Sequence, residues 1–164
     1  MNTAKLIING KEYIVQLTDE QVTEIEKPKK ITGFERVEEG ESYFSIDAIG
    51  TIYSRNIYFE ELYNNANYYS DESLAEWCNR NDTLNRQMRR WATEHNTYPI
   101  DWESSESKWY IYYNCKYEDI EIGENKENCS AERVYYQDYS TAEAACEEFG
   151  EEIKWLAENR PKWF

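Results

Sequence analysis

Fifteen tyrosines and six tryptophans set the terms for this chain, because the usual core-forming residues are scarce. Leu, Ile, Val and Phe supply only 29 of its 164 positions, and 33 acidic residues face 18 basic ones for a net charge of −15. Low aliphatic content with high charge ordinarily leaves a chain unable to bury enough apolar surface to fold. Tyrosine and tryptophan reverse that expectation. Each buries a large apolar body while its hydroxyl or indole N–H stays hydrated or hydrogen-bonded. The chain is expected to fold around an amphipathic aromatic core, in a length that suits one ordinary domain or a few very small ones.

The same composition excludes several functions. A pI near 4.5 opposes direct binding to DNA, RNA or an anionic membrane, whose phosphates repel most approach directions. No run approaches the length of a transmembrane helix. The opening MNTAKLIINGKEYIV lacks the charged-then-apolar pattern of a signal peptide, so the chain is read as cytoplasmic. Cys78, Cys115, Cys129 and Cys146 form no CxxC pair and have no nearby histidine, which removes the common zinc patterns. Four reduced thiols are expected, although Cys115 and Cys129 flank a hairpin-like segment whose sides could bring them together. The single histidine, His95, sits at the end of an expected helix, where a cation meets the C-terminal dipole, so a capping or solvent role is expected there. No glycine-rich phosphate loop, nucleophile elbow or zinc-protease motif occurs. The expectation is a protein that is not an enzyme and uses neither cofactor nor metal.

Three modules follow along the chain. Residues 1–27 read as a β-hairpin with a short helix: two strand candidates meet at Asn9-Gly10, and Thr18-Asp19-Glu20-Gln21 has the form of a capping box. The Pro- and Lys-rich stretch Lys27–Gly33 reads as a linker. Residues 34–98 carry strand candidates at Glu41–Ile46 and Thr51–Tyr53, a third near Ile57-Tyr58-Phe59, and then a helix entered at Ser70. Leu74, Trp77, Leu84, Met88 and Trp91 lie on one helical stripe, as core residues do.

Residues 107–160 repeat the plan. Three strands of a meander are expected at Trp109–Tyr113, Tyr117–Ile122 and Arg133–Tyr136, followed by a helix opened by a capping box at Ser140–Glu143. Tyr69-Ser70 with Ala75 and Tyr139-Ser140 with Ala145 share the pattern Tyr-Ser-x-x-x-x-Ala, seventy residues apart. The fold class is therefore α+β: antiparallel sheets each packed by a helix, in two related sheet-then-helix units, preceded by the hairpin-helix module.

The negative charge is concentrated late, with residues 100–164 carrying −9 of the total. Glu143, Glu147, Glu148, Glu151 and Glu152 recur at three- and four-residue spacing along the last helix, and Glu118, Asp119 and Glu121 stand on an adjacent strand. Such a face gives solubility at the least. In a sharper reading it imitates the phosphate rows of a duplex and meets a protein partner with a basic nucleic-acid-binding surface. Tyrosine and tryptophan are enriched at interface hot spots, and Tyr110, Tyr112 and Tyr136 are the candidate exposed aromatics. Arg80, Arg86, Arg89 and Arg90 form the one basic concentration, which either grips phosphate or pairs with the acids.

The stretch Tyr63–Ser70, the strand Trp109–Tyr113 and the helix entry from Val134-Tyr135-Tyr136 to Tyr139-Ser140 resemble small acidic proteins from phages and mobile elements of Gram-positive bacteria. In size, charge and style these are similar to anti-CRISPR and other anti-defence inhibitors, several of which are DNA mimics. The resemblance carries no residue roles. It implies a non-enzymatic inhibitor of a host defence protein, with a CRISPR effector such as Cas9 as the leading partner, acting in the host cytoplasm. Two other readings stand beside it. One is a phage structural or adaptor protein that binds through exposed aromatics; the other is a sponge for a signalling nucleotide held by the arginine cluster.

Overall fold

The structure, a computed structural model, describes residues 2–8, 10–26, 32–126, 130 and 133–162. The chain divides into two compact units, Met1–Thr32 and Gly33–Phe164.

In the first unit, β1 (Asn2–Ile8) and β2 (Lys11–Leu17) pair antiparallel, with Leu6 opposite Tyr13, and α1 (Asp19–Glu26) follows. Gly10 takes the positive φ of 76° that a tight hairpin turn demands. The capping box forms as its sequence requires. The Thr18 N–H donates to Gln21 Oε1 at 3.0 Å, and the Gln21 N–H donates to Thr18 Oγ1 at 3.2 Å. Of the expected linker, residues 27–31 lie outside the described residues. Gly33 belongs to the second unit, where it is buried at φ 89° against the Leu74 side chain.

The second unit contains two sheet-then-helix arrangements in the same order, so the α+β architecture read from the sequence is the one observed. The first comprises β3 (Tyr43–Ile46), β4 (Ile52–Arg55), the short α2 (Glu60–Asn64) and the long α3 (Glu72–His95). The second comprises β5 (Lys108–Asn114), β6 (Asp119–Asn125) and α4 (Tyr139–Glu158). Each strand pair is antiparallel; the first packs through β3 against α3, and the second packs against α4.

Two expected third strands are reduced. Ile57-Tyr58-Phe59 forms no strand: Tyr43 Oη donates to the Ile57 carbonyl at 2.9 Å, and Phe59 is already the N-cap of α2. Residues 133–136 contribute a single bridge, in which Trp109 and Tyr136 exchange N–H···O bonds of 3.0 and 2.7 Å. Phe44 and Tyr69 make the equivalent bridge in the first arrangement, at 2.7 and 2.9 Å. Asn67 extends that ladder with its side-chain amide, which accepts from the Ile46 N–H and donates to the Ile46 carbonyl.

The bridges correct the register of the repeat. The helices are capped by Asp71 and Asp138, not by Ser70 and Ser140. Asp71 accepts from the Ser73 and Leu74 N–H groups; Asp138 accepts from the Thr141 N–H at 2.7 Å and from Ser140 Oγ at 2.8 Å. An ionised carboxylate accepts these orphan N–H groups and also meets the positive end of the helix dipole, so Asp71 outcompetes Ser70 just before it and Asp138 outcompetes Ser140 two residues on. The matching stretches are thus Tyr68-Tyr69-Ser70-Asp71-Glu72-Ser73-Leu74-Ala75 and Tyr135-Tyr136-Gln137-Asp138-Tyr139-Ser140-Thr141-Ala142. Both read Tyr-Tyr-x-Asp-x-Ser-x-Ala. In each, the second tyrosine bridges to the sheet and the alanine is wholly buried.

The larger core lies where α3, α4 and the β5–β6 pair meet. Leu84, Met88, Ile111, Tyr136 and Phe149 anchor it, with Trp77, Trp91, Trp109 and Trp155 packed at its margin. A smaller cluster of Tyr69, Leu74 and Ala75 gathers Phe34, Phe44, Ile46 and Ile52. The helical stripe expected as core in α3 is core. Trp77 at this margin keeps its polar handle bonded, Nε1 donating to the Leu156 carbonyl at 2.9 Å.

Candidate functional site

Helical geometry sorts the glutamates of α4. Ala142, Ala145, Phe149 and Leu156 turn inward, which leaves Glu143, Glu147 and Glu151 at successive i,i+4 positions on the exposed face, with exposed Glu148 on its flank. Residues 143 to 151 rise about 12 Å along the axis, so the row Glu143, Glu147 and Glu151 is spaced at about 6 Å and the four carboxylates average about one per 4 Å. One strand of a DNA duplex carries about one charge per 3.4 Å.

Glu152 does not belong to that face. It lies on the side of α4 toward α3, where Arg80 grips it with Nε to Oε1 at 2.8 Å and Nη2 to Oε2 at 2.6 Å. The Arg80 hydrogen bonds hold the Glu152 carboxyl below the ordinary carboxylate range. Its charge is matched inside the fold, and it is half-buried there.

The strand acids stand apart as well. Along β5 and β6 side chains alternate between faces. Trp109, Ile111, Ile120 and Ile122 turn toward the core shared with α4, so Tyr110, Tyr112, Asp119 and Glu121 turn away from it. The sheet therefore lies between these residues and the exposed face of α4, and the candidate acids make two surfaces instead of one. Glu121 accepts from Tyr112 Oη at 2.6 Å and from Asn114 Nδ2 at 2.9 Å, which lowers its pKa and raises that of Tyr112. Asp119 accepts from the Ile120 N–H, and Glu118 is exposed at the β5–β6 turn with a positive φ of 54°.

The three candidate aromatics divide in the same way. Tyr112 is exposed. Tyr110 is half-buried: its ring crosses Gly123, packs edge-on to Tyr135, and lies 4.1 Å from the Arg133 guanidinium. Tyr136 is 0 % exposed, a correction to the expectation of an accessible ring. Its bridge to Trp109 directs the side chain to the core side of the sheet, edge-on to Trp91, and burial raises its hydroxyl pKa.

Arg80 and Arg90 both hold carboxylates, Arg90 reaching Glu94 at 2.8 Å, while Arg86 donates to Thr83 Oγ1. His95 takes the expected helix-end position, with Nδ1 2.8 Å from the Trp91 carbonyl oxygen and its ring stacked on the Trp91 indole. Cys78, Cys115 and Cys146 are free thiols, and Cys129 lies outside the described residues. Among the described residues no group of three or more His, Cys, Asp or Glu side chains could hold a metal ion, and no helix is long and apolar enough to cross a membrane.

Sequence reasoning missed a groove of about 630 Å³ between α3 and α4, with Leu84, Trp91 and Phe149 in its wall and Glu148 and Glu94 among its polar residues. It is made by side chains some sixty residues apart, and no local pattern announces it. No protein-family model, curated protein or solved structure matches the chain.

Proposed function

We propose that this protein is a non-enzymatic inhibitor that binds a nucleic-acid-handling defence protein of a bacterial host through the exposed acidic face of α4. The observation that carries the reading is the set Glu143, Glu147, Glu148 and Glu151: four exposed carboxylates that average about one per 4 Å of helix axis, against about one charge per 3.4 Å along a DNA strand, on a helix whose fifth candidate, Glu152, is paired internally with Arg80. Like charges at i,i+4 cost a helix a few tenths of a kcal/mol per pair, a cost that solubility alone does not require in a chain already at −15. A basic nucleic-acid-binding surface is the complement of this face, and long-range attraction speeds its capture. The partner is a CRISPR effector such as Cas9, met in the host cytoplasm, and inhibition follows from occupying its nucleic-acid site.

The test is a pull-down with guide-loaded Cas9 together with a DNA-cleavage assay, using the wild-type chain and the variant E143K/E147K/E148K/E151K. The wild type should capture the effector at low salt, release it at high salt and block cleavage, and the variant should do neither while keeping its circular dichroism spectrum. Undiminished inhibition by the variant, or no capture by the wild type, overturns the reading.

One observation favours an adaptor that binds through aromatics: Ile57, Tyr58 and Phe59 are exposed in sequence between β4 and α2. Binding by such a surface persists at high salt, because apolar contacts are not screened.

A further inference from the structure

A second recess lies on elements other than α4. It encloses about 500 Å³ and is built from the segment leading into β3 together with the aromatics around α2. Tyr43 and Tyr68, each 1 % exposed, stack at 4.1 Å with 17° between their planes and form its floor. Both hydroxyls are fixed to backbone: Tyr43 Oη donates to the Ile57 carbonyl at 2.9 Å, and Tyr68 Oη accepts from the Val37 N–H at 3.0 Å. The floor is thereby held without a ligand. Tyr58, edge-on to Tyr68, is the exposed wall.

The electrostatics of this recess select its occupant. Glu38, Glu39 and Glu41 line it, with Arg36 as the one cation among the described residues, so an anionic ligand meets net repulsion. The Arg36 guanidinium already lies 5.1 Å from the Tyr58 ring and 4.3 Å from the Tyr63 ring, so these aromatic faces accept a cation in the protein's own packing. The Arg36 side chain is itself half exposed and reaches Glu60 at 3.9 Å, and Glu41 accepts from the Glu38 N–H, so among the described residues Glu38 and Glu39 are the carboxylates offered to a second cation. Val37 and Ile57 supply apolar surface beside them.

We propose that this recess binds an organic cation on an aliphatic stem, the side chain of an arginine or lysine presented by a protein partner. The stem lies along Val37 and Ile57, the cationic head meets the exposed part of the Tyr58 ring that Arg36 does not cover, and Glu38 and Glu39 complete the charge. The site is independent of the acidic face of α4 and stands whether or not that face binds a defence protein.

The test is tyrosine-ring NMR on the full chain, titrated with acetyl-Gly-Arg-Gly-amide and its Lys and Gln counterparts at matched ionic strength. The Arg and Lys peptides should shift the Tyr58 resonances saturably, with a dissociation constant on the order of millimolar for so small a contact. Followed on the Tyr43 and Tyr68 rings of the floor, Tyr58→Leu should weaken binding about three- to tenfold, and E38Q/E39Q by a similar factor, with unchanged spectra elsewhere. The α4 variant E143K/E147K/E148K/E151K should bind these peptides as the wild type does, which separates this site from the proposed inhibitory face. An equal shift with the Gln peptide, or binding indifferent to both recess variants, overturns the proposal. Saturation by tetramethylammonium without any by the Arg and Lys peptides also overturns it, by assigning the recess to a free cation.

Discussion

Arg80 on α3 and Glu152 on α4 are joined by two parallel hydrogen bonds of 2.8 and 2.6 Å, and the same guanidinium lies 3.3 Å from the centre of the Trp155 ring. One arginine thus fastens the two long helices by charge and by stacking at once, each side chain about one-third exposed. Lysine has neither the fork nor the plane to reproduce this.

Arg80→Ala should therefore lower stability by about 1–2 kcal/mol, between the usual worth of a surface pair and that of a buried one. Glu152→Gln should cost less, because the stack on Trp155 remains. Thermal unfolding should show Arg80→Ala melting about 3–8 °C lower. In a double-mutant cycle the two losses should be less than additive. Strict additivity would mean that the pair contributes nothing as a pair.

Asp138 caps α4 with a carboxylate whose pKa is held down at about 2, first by the Thr141 N–H and then by Ser140 and its other donors. A carboxyl with a folded pKa below its unfolded value stabilises the fold at pH values above the unfolded pKa, and that contribution is lost as pH falls through the folded one. The loss should fall between the ordinary value of 3.8 and about 2. Asp138→Ala should cost about 1 kcal/mol at neutral pH. Asp138→Asn should keep most of the cap and flatten the dependence of melting temperature on pH in that window. An unchanged acid profile for Asp138→Asn would refute this assignment.

The contrast between Asp138 and Ser140 shows which parts of this fold the sequence exposes. The Thr18 and Gln21 box is legible because donor and acceptor are three residues apart and nothing nearby competes. Ser140 and Glu143 satisfy the same rule, yet an ionisable cap two residues earlier takes the Thr141 N–H and starts the helix there, leaving Ser140 inside its first turn and displacing the repeat register by three residues. The candidate site was half legible. Helical spacing was enough to put Glu143, Glu147 and Glu151 on one exposed face. Tyr136 was misplaced because one bridge to Trp109 behaves like a strand for a single residue and fixes the ring inward. The partnership of Arg80 with Glu152, 72 residues apart, and the stacking of Tyr43 on Tyr68 are tertiary events without a local signature.

The Tyr136 hydroxyl is buried with no hydrogen-bond partner among the described residues. A hydroxyl removed from water without compensation opposes folding, so deleting it while keeping the ring should help or do nothing. Tyr136→Phe should leave stability unchanged or raise it by up to about 1 kcal/mol. Tyr136→Ala should cost about 3–5 kcal/mol through the cavity left between Trp91 and β5. Chemical denaturation of both variants measures the difference, and a loss above about 1 kcal/mol for Tyr136→Phe would show that the hydroxyl has a partner in solution.

Glu143, Glu147 and Glu151 repel one another along α4, and Glu147 is the middle member. Replacing it with lysine converts two repulsive i,i+4 neighbours into two attractive ones, each change worth a few tenths of a kcal/mol. Glu147→Lys should therefore raise the melting temperature by about 1–3 °C at low salt, an increment that shrinks as salt screens the exposed pairs. If the face serves binding, the same variant should capture the basic partner more weakly and more slowly, since the removed charge lay in the attractive field. A gain in stability with a loss of capture identifies the glutamate row as a binding surface held at the expense of the helix. A gain in stability with capture unchanged returns the row to an ordinary solvated face.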